Sequence, residues 1–170
     1  AAGKSSVAFG NSTQALGAHS FAYGYNTATA DDAPCSFAGG NFTRANGENS
    51  VALGSQTIVS GDHSIAAGVK SSAAGTISFA FGENLLAGGD HQFVIGKFNK
   101  NVTGNAFEIG NGEDIHNPKT IFAVTKDGRA KADTMATDNN DLTNKYYVDT
   151  RVRAVFSFDG DTLRITTNDF

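Results

Sequence analysis

A chain of 170 residues with 20 Gly, 13 Phe, one Cys, one Met and no Trp is about one domain long. Its 39% hydrophobic against 18% charged residues exclude a charge-driven disordered segment. A lone cysteine, Cys35, closes no internal disulfide and leaves no cysteine metal knuckle, so packing has to hold the fold. The net charge of −4 gives no footprint for nucleic acid or an anionic bilayer, no apolar run reaches the ~18–20 residues of a membrane span, and Ala1-Ala2-Gly3-Lys4 shows no leader pattern. Neither nucleic-acid binding nor membrane insertion is therefore expected.

From the first residues onward the chain repeats. The pentads are Ser6-Val7-Ala8-Phe9-Gly10, Ser20-Phe21-Ala22-Tyr23-Gly24, Ser36-Phe37-Ala38-Gly39-Gly40, Ser50-Val51-Ala52-Leu53-Gly54, Ser64-Ile65-Ala66-Ala67-Gly68 and Ser78-Phe79-Ala80-Phe81-Gly82, with degenerate copies closing at Gly96 and Gly110. The closing glycines step by 14 residues, except for a step of 16 from Gly24 to Gly40. The two extra residues fall around Asp31-Asp32-Ala33-Pro34, which reads as a bulged loop. A second glycine precedes most pentads at Gly3, Gly17, Gly47, Gly61, Gly75 and Gly89, and a Thr or Ser follows at Thr13, Thr27, Thr43, Thr57 and Ser71.

Such a unit is too short for a strand plus a crossover helix, which takes ~30 residues, and a helix would resent its glycines. It reads as strand, turn, short strand, turn, with the glycines supplying positive φ. Coils of this kind stack one strand spacing apart, ~4.8 Å, so eight make a rod of about 40 Å. Within the pentad the first variable column is large, Val or Phe or Ile. The next is Ala8, Ala22, Ala38, Ala52, Ala66 and Ala80 in turn. Neighbours along a strand point to opposite faces, so we expect one face to fill the inside of the coil and a wall of alanines on the other to meet a second surface. A thin coil has a marginal core, which predicts an obligate oligomer with closed symmetry.

Period, pentad and second glycine together, most clearly in Asn49-Ser50-Val51-Ala52-Leu53-Gly54 and Gly61-Asp62-His63-Ser64, resemble the head repeats of YadA-like trimeric adhesins across roughly residues 1–112. The resemblance implies a parallel left-handed β-roll, three chains around a threefold axis, and a role in sticking to surfaces.

Beyond Gly110 the repeats end and charge concentrates: residues 113–170 carry 8 of the 13 Lys+Arg and 10 of the 17 Asp+Glu. Residues 113–137 are expected to cap the open strand edges, with Ile121–Thr125 and Arg129–Ala132 forming a hairpin around Asp127-Gly128. Residues 138–170 are expected to form a short helix, with N-caps among Asp138–Asp141 and a stripe through Leu142, Tyr146, Asp149 and Val152. A final hairpin follows, turning at Asp159-Gly160. The predicted fold class is thus all-β, a β-roll homotrimer followed by a small hairpin and short-helix region.

The run from Phe93-Val94-Ile95-Gly96 through Ile109-Gly110-Asn111-Gly112 to Asp127-Gly128 looks like the sequence that closes such rolls in phage tail-fibre proteins, particularly those of Gram-positive hosts. Asp141-Leu142-Thr143-Asn144-Lys145-Tyr146-Tyr147-Val148-Asp149 is similar to a stretch common in phage tail and baseplate chains. These resemblances imply a non-enzymatic trimeric tail-fibre or receptor-binding segment in a virion tail. Its expected partners are its own copies, a bacterial surface glycan or protein, and other tail or baseplate proteins. The alternative is the extracellular head of a bacterial trimeric autotransporter adhesin that binds host surfaces, and a third reading is a polysaccharide-degrading tailspike.

Candidate sites are few. His19, Cys35, His63 and His91 share one repeat position, but His63 and His91 are two coils apart, ~10 Å, too far to share a metal with ligands at ~2 Å; a polar turn position is the expected reading. No nucleophile elbow, phosphate loop or convergent carboxylate pair is present in the sequence, so neither catalysis nor a cofactor is expected. For carbohydrate contact the candidates are Tyr23, Tyr25, Phe42 and Arg44 near the long coil, whose alternative role is packing against the adjoining coil or subunit. Arg153 and Arg164, beside Asp159 and Asp161 of the terminal hairpin, form a second candidate surface.

Overall fold

The computed structural model describes residues 1–133 together with the strands at 154–159 and 162–167. The chain divides into two compact units, Ala1–Ala130 and Lys131–Phe170.

The first unit is a β-solenoid. Its long strands are β1 (Val7–Asn11), β3 (Phe21–Tyr25), β5 (Phe37–Asn41), β7 (Val51–Ser55), β9 (Ile65–Val69), β11 (Phe79–Glu83), β13 (Phe93–Lys97) and β14 (Asn105–Asn111). They alternate with the short strands β2 (Gln14–Ala15), β4 (Ala28–Thr29), β6 (Arg44–Ala45), β8 (Ile58–Val59), β10 (Ser72–Ala73) and β12 (Leu86–Ala87). Each set forms its own parallel sheet, and the repeat position sets the register: Val7 lies beside Phe21, Gly10 beside Gly24, Ser72 beside Leu86. The longer step leaves this register intact, with Phe21 beside Phe37 and Gly24 beside Gly40. The two extra residues are absorbed as an exposed turn at Asp31 and Asp32. The described residues contain no helix.

The core lies between the two sheets and is built of small side chains. Ala22, Ala38, Ala52, Ala66 and Ala80 of the long strands are fully buried against Ala15, Thr29, Ala45, Val59, Ala73 and Ala87 of the short ones. This corrects the expectation that the alanine column faces a second surface. Two strands cut from one coil lie so close that the space between them, at the packing density of a protein interior, is filled mostly by alanine, with Thr29, Val59, Leu85 and Val94 the larger occupants and no aromatic ring admitted. The large column therefore points outward.

A second correction concerns the turns. The pentad glycines from Gly10 through Gly96 do take positive φ, +112° at Gly54, whereas the second glycine column has no positive φ and is set by close approach alone. A Cβ on Gly61 would stand 1.9 Å from the carbonyl oxygen of Gly75 in the next coil. The left-handed turn positions are held by other residues: His19, Cys35, Asn49, His63, Ile77 and His91 in one column, Asn26, Phe42, Gln56, Lys70, Asn84 and Phe98 in another. Each costs left-handed strain, offset by a hydrogen bond to the preceding coil, as from His63 N–H to Glu48 O at 2.8 Å and from Lys70 N–H to Ser55 O at 2.8 Å.

At its far end the solenoid changes both direction and chemistry. Strand β14 pairs antiparallel with β15 (Thr120–Thr125), and β16 (Ala130–Ala132) completes the ten-stranded sheet. The turn between β15 and β16 is the expected one, with Gly128 at φ +84° and its N–H bonded to Thr125 O. The core columns here turn polar. Glu108 takes the alanine position, beside Val94, and is fully buried. Its Oε1 accepts from Gln92 Nε2 (3.0 Å), Val102 N–H (2.9 Å) and Asn105 Nδ2 (2.9 Å). Its Oε2 accepts from Asn99 Nδ2 (2.9 Å) and Thr120 Oγ1 (3.1 Å). Five donors replace the water this carboxylate gives up, which is what a buried charge requires.

In the second unit, strands β17 (Ala154–Asp159) and β18 (Thr162–Thr167) form the expected terminal hairpin, Asp159 opposite Thr162. The helix expected after Asp138 lies outside the described residues.

Candidate binding surfaces

Two surfaces of the solenoid are built by its repeats, and a third by the repeats together with the segment that follows them. The first is the outer face of the long-strand sheet, where Val7, Phe21, Phe37, Val51, Ile65, Phe79, Phe93 and Phe107 form one ladder. The rings touch along it: Phe21 and Phe37 stack at 5.2 Å between centroids, Phe93 and Phe107 at 5.6 Å. A parallel column adds Phe9, Tyr23, Leu53, Phe81 and Ile95. Gly39 leaves room for the Tyr23 ring, since a Cβ there would meet Tyr23 Cε1 at 2.3 Å. This face is open in the single chain, with Phe9 75% and Tyr23 42% exposed. A cleft of about 410 Å³ beside Ile77, Phe79, His91 and Phe93 belongs to it.

The second surface holds the remaining aromatic candidates. Tyr25 and Phe42 meet edge to face at 5.4 Å, and Arg44 is exposed on β6, two residues along from Phe42. Tyr23 instead joins the phenylalanine ladder, 5.9 Å from the Phe37 ring and 6.1 Å from Phe21. The four residues thus divide between an aromatic edge and the apolar face. Arg164 lies in β18 opposite Ser157, and Arg153 falls outside the described residues.

The histidine column is a row of exposed left-handed turn positions. Along the stack, His63 Nε2 lies 3.5 Å from Asn49 Nδ2. Among the described residues no three His, Cys, Asp or Glu side chains come together to hold a metal ion.

The third surface was not foreseen from the sequence. The segment between β14 and β15 folds back over the turns of the preceding coils, anchored by Lys119 N–H to Phe98 O (2.8 Å) and Gly112 N–H to Lys97 O (3.1 Å). Asp114 shapes the segment by accepting from the N–H groups of His116 (2.7 Å) and Asn117 (2.9 Å). These bonds hold the Asp114 carboxyl below its ordinary value, His116 contributing most. Between the segment and the coils runs a cleft of about 340 Å³, walled by Phe98 and Ile115 and bearing Lys70, Ser72, Asn84 and Asn101. The signal for it was the Asp114-x-x-Asn117-Pro118 turn; its position over the coils required the tertiary structure.

The repeat residues that build these faces have a counterpart elsewhere. Among curated proteins, none matches this chain. The family model described as the YadA head domain repeat (2 copies) does match it, at residues 1–27, 38–57, 45–71 and 60–84, so the coils from the first through the sixth long strand carry repeats similar to YadA heads.

Proposed function

We propose that this chain is a non-enzymatic, extracellular attachment segment that works as a homotrimer. The observation that carries the reading is the outward ladder of Val, Ile and Phe side chains, exposed at Val7, Phe21 and Phe93 and half-buried between, on a sheet whose inner face is already packed with alanine. An apolar face of this length is unusual on a monomer and marks an interface. Three copies around an axis bury it against itself, as the resemblance to YadA-like heads implies. Identical weak sites on three stiff solenoids then engage a surface together, so avidity replaces tight individual contacts.

The YadA-type repeats support an adhesin head on a bacterial surface, binding host surfaces. A second reading, a phage tail-fibre segment that binds a bacterial surface glycan or protein and docks on tail or baseplate proteins, is favoured by the Asp141–Asp149 stretch.

Two measurements test the proposal. Light scattering should give three times the 17.6 kDa chain mass, and Phe79→Glu with Phe21→Glu should abolish the trimer; a stable, well-folded monomer sinks it. Binding of the trimer to host-matrix surfaces and to a panel of bacterial cells separates the two readings, and binding to neither ends the attachment role.

A further inference from the structure

We propose that the cleft between the fold-back segment and the turn column binds an acidic saccharide. This inference deepens the attachment reading and rests on it. Three features set the cleft apart from the other surfaces.

It is constructed rather than incidental. Its outer wall is fixed by the backbone bonds of Gly112 and Lys119 to the last long coil and by the Asp114 turn. Its inner wall is made of consecutive coils, so its polar groups keep the solenoid spacing. At about 340 Å³ it lies within the ~300–1,000 Å³ range of ligand pockets.

Its chemistry is that of a sugar site. The Phe98 ring and Ile115 offer apolar surface to the C–H face of a pyranose, while Ser72, Asn84 and Asn101 bring hydroxyl and amide groups suited to sugar hydroxyls. Asn101 Oδ1 is held by Gly88 N–H at 3.2 Å, which orients the amide and leaves its Nδ2 to donate.

Its charge is selective. Lys70 is the ionised side chain in the lining, and no ion pair to it is found among the described residues. A single unpaired ammonium in an otherwise neutral cleft favours a ligand with one carboxylate per sugar ring over a neutral glycan. The cleft also stays accessible in the proposed trimer. It lies on the turn column and short-strand sheet, whereas the trimer buries the outer face of the long-strand sheet.

The test is a glycan array of uronic-acid, sialic-acid and neutral oligosaccharides, followed by calorimetric titration of the strongest acidic ligand. Acidic glycans should bind and neutral ones should not. Lys70→Asn and Phe98→Asn should each weaken binding roughly tenfold or more. Asparagine already holds this turn position at Asn26 and Asn84, so both variants keep the turn, and an unchanged circular dichroism spectrum checks that they do. Binding of neutral glycans alone, binding of none, or wild-type affinity in both variants overturns the proposal. Surface attachment measured in parallel separates this from the reading beneath it. Variants that attach like wild type leave attachment standing without the cleft, and a wild type that binds acidic glycans through Lys70 yet attaches to no surface leaves the cleft standing without attachment.

Discussion

Asn99 presents its side-chain amide to Leu86 as another strand would present a peptide group. Its Oδ1 accepts from Leu86 N–H at 2.9 Å and its Nδ2 donates to Leu86 O at 3.0 Å. Strand β12 ends the short-strand sheet, and the next coil supplies no short strand to pair with it. One side chain thus closes an edge that would otherwise be open to pairing with another chain. The second Nδ2 hydrogen goes to Glu108, which ties the end of one sheet to the polar cluster closing the other.

Replacing Asn99 by Ala should therefore cost roughly 1–3 kcal/mol, because it strands a half-buried donor and acceptor of Leu86 and removes one donor from the buried Glu108. Asn99→Asp should be worse, since it sets a second carboxylate beside Glu108. Hydrogen exchange should rise first in β12 to β15 while β5 to β9 stay protected, because each coil leans only on its neighbours. Uniform loss of protection along the solenoid would contradict this.

Two glycine substitutions should behave oppositely. Gly61→Ala places a Cβ 1.9 Å from the Gly75 carbonyl oxygen and 2.5 Å from its carbon, backbone atoms that cannot swing aside as a side chain could. The coils would have to part locally, and a loss of about 3 kcal/mol or more is expected. Gly104→Ala meets nothing within 4 Å and should lie within ~0.5 kcal/mol of wild type. Chemical denaturation of the two variants decides the matter; equal midpoints would mean the second glycine column is not set by contact between coils.

The period made the solenoid legible because stacking forces every coil to repeat the same hydrogen-bond positions, and residues such as Ser50, Ala52 and Gly54 then recur by necessity. Which face lay inside was not legible. Val51 and Ala52 are both apolar, and alternation separates two faces without saying which one is enclosed. Nor could the left-handed turns be read from Ile77 or Phe98, residues that avoid that conformation when alone; the adjoining coil's carbonyl imposes it. The polar end left a sign in the sequence, with Gln92, Asn99 and Glu108 at positions held elsewhere by Ser, Thr and Ala. The cleft at Lys70 left almost none, since its wall comes from a segment that returns from beyond the repeats.

The fold-back segment should loosen in acid. The N–H groups of His116 and Asn117 hold the Asp114 carboxyl below its ordinary 3.8. A carboxyl whose folded value is depressed gives its stabilisation in full above that ordinary value and loses it as pH falls through the folded one. A carboxyl-detected NMR titration should therefore place the Asp114 midpoint below 3.8. The amide signals of His116 and Asn117 should move with it, and Asp114→Ala should remove that dependence. A midpoint at or above the ordinary value would show that the turn is not formed in solution.

The threonine column inside the coils holds a cost that the chain itself shows how to remove. Thr43 Oγ1 is buried without a hydrogen-bond partner, whereas Thr57 Oγ1, one coil on, bonds to Leu53 O at 3.2 Å. The same column carries Leu85, buried and apolar, two coils further along. Valine keeps the shape of threonine and replaces the hydroxyl by a methyl. Thr43→Val should therefore be neutral to about 1 kcal/mol stabilising, because it removes an unsatisfied polar group, while Thr57→Val should cost about 0.5–1.5 kcal/mol for the lost bond. Thermal midpoints of the two variants, which share burial and backbone, isolate the hydrogen bond as the difference between them, and a Thr43→Val protein less stable than Thr57→Val would show that the hydroxyl inside the coil is satisfied after all.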